Sequence, residues 1–122
     1  MGDSILNTIK QMLGIYPEDT AFDTELITHI NNAIADLIHM GDSTDWSFRI
    51  YDSSNRWSEF VDSEAAISQA TQYVYCKVRL IFDPPSNSFV VDSIAKSKDE
   101  AGWRFYEMLD QERINKTNEE VT

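Results

Sequence analysis

Apolar residues recur at helical spacing through four stretches of the chain, each bounded by residues that start or stop helices. Over residues 4–13, Ile5, Leu6, Ile9, Met12 and Leu13 share one side of a predicted helix. Asp3 or Ser4 can cap it, and Gly14 stands where a left-handed stop is needed. After a connector at 15–22, Asp23 and Glu25 put negative charge into the first turn of a second helix, which suits its dipole. Leu26, Ile27, Ile30, Ile34, Leu37 and Ile38 form its stripe, the cleanest amphipathic pattern in the chain, and Gly41 ends it. A third helix is predicted over about 63–82, where Ile67, Ala70, Val74, Val78 and Ile81 are flanked by Tyr73, Leu80 and Phe82. So wide an apolar arc predicts a central helix that touches several others. Pro84 and Pro85 stop it, because neither has an N–H and each disfavours helix in the residue before it. Ser86 or Ser88 is placed to cap a fourth helix, in which Val90, Ile94, Ala101, Phe105 and Met108 share a face that continues to Leu109 or beyond.

Residues 42–62, "DSTDWSFRIYDSSNRWSEFVD", break this period. Trp46, Phe48 and Ile50 alternate with Ser47 and Arg49 as in a strand, and the run from Asp52 to Asn55 has turn chemistry. The expectation is an extended arm or small hairpin, followed by one helical turn at Trp57 to Phe60. The last residues lack apolar periodicity and are expected to fray. The predicted fold is therefore all-α: a small four-helix domain over 1–111, with an aromatic-rich arm between helices 2 and 3 and a flexible acidic tail at 112–122.

A chain of 122 residues, 42% hydrophobic and 25% charged, is one domain's worth and can bury a core. The formal net charge of −11 changes the picture more. Such a surface repels nucleic-acid backbones and anionic lipids, so neither specific DNA binding nor membrane attachment is expected. The single cysteine, Cys76, lies in an apolar run and reads as a buried core residue of a reducing compartment. Asp3 and Asn7 interrupt the first apolar segment as a signal peptide, and no apolar run is long enough to cross a bilayer, so synthesis in the cytoplasm is expected.

Candidate chemistry is sparse. His29, Asn32, Asp36 and His39 share one face of helix 2, but that face points away from the apolar stripe and no other segment completes a metal site. A solvated polar face is the expectation there. No histidine accompanies a nucleophile in a strand-to-helix turn, no glycine-rich phosphate loop is present, and no carboxylate pair is set apart by an apolar environment. No catalytic residue, cofactor or metal is expected. What remains are residues suited to contact. Lys77 falls inside the apolar arc of helix 3, where its stem must lie along the core edge or its charge must find a partner. Lys77 and Arg79 together are charges that a lone subunit supplies poorly with partners. Trp103 is on the polar face of helix 4 near Lys96 and Glu107; either Gly102 bends the helix and returns the indole to the core, or the indole is exposed for a partner. Trp46, Phe48 and Trp57 either lid the core or dock on another subunit.

Taken in order, "ILNTIKQMLGI" (5–15), "DTELITHINNAI" (23–34), "RWSEF" (56–60), "YVYCKVRLIFDPP" (73–85) and "EAGWRFYE" (100–107) resemble the head–tail connector, or neck adaptor, proteins of tailed bacteriophages. The run ending in FDPP is the most specific of these. The resemblance implies a non-enzymatic virion subunit at the head–tail junction. It implies a ring homo-oligomer below the portal protein, twelvefold if it follows the portal, which extends the DNA channel and carries the head-completion, stopper or tail proteins. DNA would pass without specific binding, and an acidic subunit suits that, since a basic lining would hold phosphates. A head-to-tail ring needs two different complementary surfaces. Candidate contact residues are Trp46, Phe48, Trp57 and Phe60 of the arm, Lys77 and Arg79 of helix 3, and Trp103 and Tyr106 of helix 4. The rival expectation is a soluble acidic helical binding module, such as a DNA mimic or regulator, that sequesters a basic partner.

Overall fold

The computed structural model describes residues 3–40 and 47–121, with side chains described through residue 111. Five helices are present among the described residues: α1 (Ile5–Met12), α2 (Asp23–Met40), α3 (Trp57–Phe60), α4 (Glu64–Phe82) and α5 (Ser88–Val121). The first helix starts and stops as its sequence dictates. Ser4 Oγ accepts from the Asn7 amide at 3.2 Å. At the other end Gly14 takes φ +82°, the Ile15 amide donates to Lys10 O at 2.8 Å, and the Gly14 amide donates to Gln11 O at 3.1 Å. That pair of bonds is the Schellman arrangement, which satisfies carbonyls a helix end otherwise leaves open. Ser63 caps α4 in the same way, accepting from the Ala66 amide at 3.3 Å.

α4 is the central helix, packed against α1, α2 and α5. Ala66, Ala70, Tyr73, Val74, Cys76 and Val78 are its buried positions. They meet Leu26, Ile30, Ala33, Ile34, Leu37 and Ile38 of α2, and Ala101 and Phe105 of α5. Ile81 and Val90, expected in the stripes, are exposed, because the α4–α5 turn falls at the end of the bundle where no further element covers them. Gly102 is buried where α5 crosses α4; a Cβ there would stand 3.1 Å from the Tyr73 ring and from Met40 Sδ, so the helices approach through that glycine.

Of the two forms expected for the arm, the extended segment is the one observed, and the single helical turn follows it as α3. Among the described residues it forms no hairpin and no strand, only one isolated antiparallel bridge between Ser4 and Arg56. Its alternation arises because Ile50 is buried and Phe48 half-buried while their neighbours face solvent, not because the backbone pairs with a strand. Asn31 of α2 takes the strand's place: its Nδ2 donates to Ile50 O at 3.0 Å and its Oδ1 accepts from the Ile50 amide at 2.8 Å. Further along, the Ile5 amide donates to Asn55 O and the Trp57 amide to Asp3 O, which ties the arm to the start of α1. Two boundaries also differ at α5. The cap is Asn87, not Ser86 or Ser88, with its Oδ1 accepting from the Phe89 amide at 2.8 Å and the Val90 amide at 3.4 Å; asparagine is at least as good a cap as serine. The helical backbone then runs to Val121, past the end of the apolar periodicity.

Candidate functional site

Five of the eight predicted contact residues, Phe48, Trp57, Phe60, Lys77 and Arg79, are packed or partnered against the body of the subunit. Trp57 is 2% exposed and Phe60 is buried beside it, so of the two roles left open for them the lid on the core is the one observed. Phe48 stacks on Phe60 at 5.3 Å, and Phe60 stacks on Phe105 at 5.8 Å. This three-ring stack joins the arm to α5, and the geometry is the offset arrangement aromatic pairs favour. The Trp57 indole Nε1 is buried with no hydrogen-bond partner among the described residues. Trp46 lies outside the described residues.

The helix 3 charges are likewise satisfied at home. Lys77 donates to Asp36 Oδ2, and Tyr73 Oη donates to the same oxygen at 3.1 Å. Asp36 therefore faces α4, which corrects the expectation that it stands on a solvated face with His29 and His39. Burial, and then the Asp36 carboxylate, push the Tyr73 phenol above its ordinary range. Arg79 donates from Nε to Asp83 O at 2.7 Å and from Nη1 to Tyr75 Oη at 3.1 Å. The need for a second subunit to balance Lys77 and Arg79 is thus removed. His29 sits 3.6 Å from Glu25, and no group of three His, Cys, Asp or Glu side chains is arranged to hold a metal among the described residues. Burial raises the Cys76 thiol, which makes it a poorer nucleophile.

Lys10, a residue the sequence reasoning passed over, is the one buried charged side chain among those described, at 1% exposure. Its ammonium meets Asp23 Oδ1 at 2.8 Å and Pro17 O at 3.0 Å, closing the connector between α1 and α2. The available signal was position: Lys10 follows Leu6 by four residues and Ile9 by one, inside the stripe of α1.

What remains on the surface is aromatic and acidic. Trp103 is 62% exposed and stacks on Tyr106 at 5.9 Å, so α5 does not bend to return the indole to the core. Tyr51 is exposed beneath the Arg49 guanidinium, 5.5 Å from its ring. Residues 1–48 hold eight carboxylates (Asp3, Glu18, Asp19, Asp23, Glu25, Asp36, Asp42 and Asp45) against one cation, the buried Lys10. An open groove of about 810 Å³ runs along α1 and the connector, lined by residues such as Asn7, Gln11 and Tyr16. No helix among the described residues is long and apolar enough to cross a membrane.

The helical core thus has its buried charge paired, and its long outer helix carries exposed aromatics. The chain belongs to the phage connector protein family, whose model matches residues 5–112, and so is a bacteriophage head–tail connector. The matched span takes in all five helices except the last turns of α5. Comparison with curated proteins and with solved structures gave no match.

Proposed function

We propose that the chain is the adaptor subunit of a phage neck, forming a ring below the portal that extends the DNA channel and carries head-completion or tail proteins. Ring symmetry follows the portal's, twelvefold in the virion, and the subunit is made in the host cytoplasm. It is no enzyme: its work is to present surfaces. The observation that carries this reading is the connector match across the whole helical domain. The Trp103–Tyr106 stack supports it, since large rigid aromatics are favoured interface anchors. Phe48 and the segment containing Trp46 remain candidate contacts from the arm. Residues 112–122 are a further candidate contact for the portal.

Sedimentation velocity tests the ring. The wild-type chain self-associates on concentration or on adding purified portal, and Trp103→Ala lowers that association while leaving the melting temperature in place. A strictly monomeric wild type that also ignores the portal would sink the proposal. The uncompensated charge of residues 1–48 favours the second reading, an acidic module that sequesters a basic partner; recovery of a nucleic-acid-binding protein, with no portal, would select it.

A further inference from the structure

One end of the bundle carries apolar residues that stay exposed among the described residues. There α2 begins, α4 stops and α5 begins. Phe22 packs edge-on against Phe82 at 5.4 Å, with 44% of its own surface still open. Ile81 is exposed in the last turn of α4, and Phe89 and Val90 in the first turn of α5, Phe89 at 77%. Exposed aromatic and aliphatic residues gathered at one end are the mark of a contact surface rather than of a solvated end.

The charges around the patch decide what fits it. Glu18, Asp19, Glu25, Asp83 and Asp92 are all exposed at this end. Of the cations on these elements, Lys10 is buried against Asp23 and Arg79 is bound to Tyr75 and Asp83, while Lys96, one turn beyond Asp92, is exposed and leaves the carboxylates in excess. A second copy meeting this end with its own acidic end would set carboxylates against carboxylates, and like charge set face to face selects against a partner. A basic partner meets no such penalty and gains encounter rate from the field.

We infer that this end docks a cationic segment of a different protein, one presenting Lys or Arg around an apolar anchor that seats between Phe22 and Phe89. The inference rests on the adaptor reading and adds a second surface, distinct from the Trp103 face and reserved for a partner other than the chain itself. The occupant is a protein segment, since nucleic acid would meet the same carboxylates with its own negative charge.

Surface capture with the portal and the head-completion protein of the same phage tests it. The wild-type chain binds one of them, and raising salt from about 0.05 M to about 0.5 M weakens that binding, as screening requires. Phe89→Asp, and separately the pair Glu18→Lys with Asp19→Lys, each weaken it at least tenfold. Both leave self-association and the circular-dichroism melt as they were, because the altered side chains are exposed. Binding by wild type that neither variant changes would overturn this inference and leave the adaptor reading standing. Loss of self-association in Phe89→Asp with partner binding intact would show a second copy on the patch and overturn it too. If wild type captures neither protein, the inference and the adaptor reading fall together.

Discussion

Lys10 shows how one side chain fixes a connector. A buried ammonium is tolerated only where oxygens surround it, and here Asp23 and Pro17 O supply them. The two partners are unequal in exposure, since Asp23 is about a quarter open to water while Lys10 is sealed. Removing the carboxylate therefore strands a charge, whereas removing the ammonium frees a carboxylate that water can still reach. Asp23→Ala should cost about 3–5 kcal/mol and Lys10→Met much less, an ordering that urea denaturation reads directly. Equal costs would show that the pair is not what holds the connector. Trp57 makes a second case at this scale. Buried at the foot of the arm, it should cost about 3–5 kcal/mol as Trp57→Ala, with thermal stability lost before assembly is. A docking anchor would show the opposite order. Sequence alone did not reveal the burial, because an aromatic in a polar arm has the same pattern whether it turns inward or outward.

At the scale of elements, the helices and the arm's extended course were legible, and the contacts that anchor the arm were not. Ser4, Gly14, Ser63 and the Pro84–Pro85 stop each act through their own backbone or side chain, so local sequence carries their message. The long-range facts lie beyond it. Asn31 reaches 19 residues along the chain to hold Ile50, and nothing in its helical surroundings announces this. Asp36 reaches 41 residues to Lys77 for the same reason of tertiary packing. Within the patterns themselves, Ile81 and Val90 kept helical spacing but lost burial where the bundle ends. The Asn31 contact makes a sharp prediction. Asn31→Ala leaves the buried amide and carbonyl of Ile50 without partners, at about 1–3 kcal/mol for each. The arm should loosen before the helices do, so hydrogen exchange at the Ile50 amide should quicken while amides of α4 hold. Unchanged protection at Ile50 would show that the arm is fixed by its aromatic stack alone.

At the scale of the whole molecule, the design separates holding together from reaching out. The charges of Lys10, Lys77 and Arg79 are paired within the subunit, while the outward features are the Trp103–Tyr106 stack, the acidic end around Phe22 and the length of α5. At 1.5 Å per residue α5 spans roughly 51 Å and α4 roughly 28 Å, so the last turns of α5 run past the helix that supports it. An isolated helix of that length is marginal in water unless something packs on it. The adaptor role proposed above has use for such a helix, since it calls for contacts on more than one side. The family was legible from five short runs in order, and the match over residues 5–112 bears that out. Which surface meets which neighbour was not legible, because exposure is decided by tertiary packing that local pattern does not record. Electron microscopy of the purified chain incubated with the portal assembly of its phage tests the neck role most directly. The expected image is an added ring of density on the portal's tail-facing end, sharing its rotational symmetry. Bare portals beside a monomeric chain, at concentrations well above those of the assembly, would contradict it.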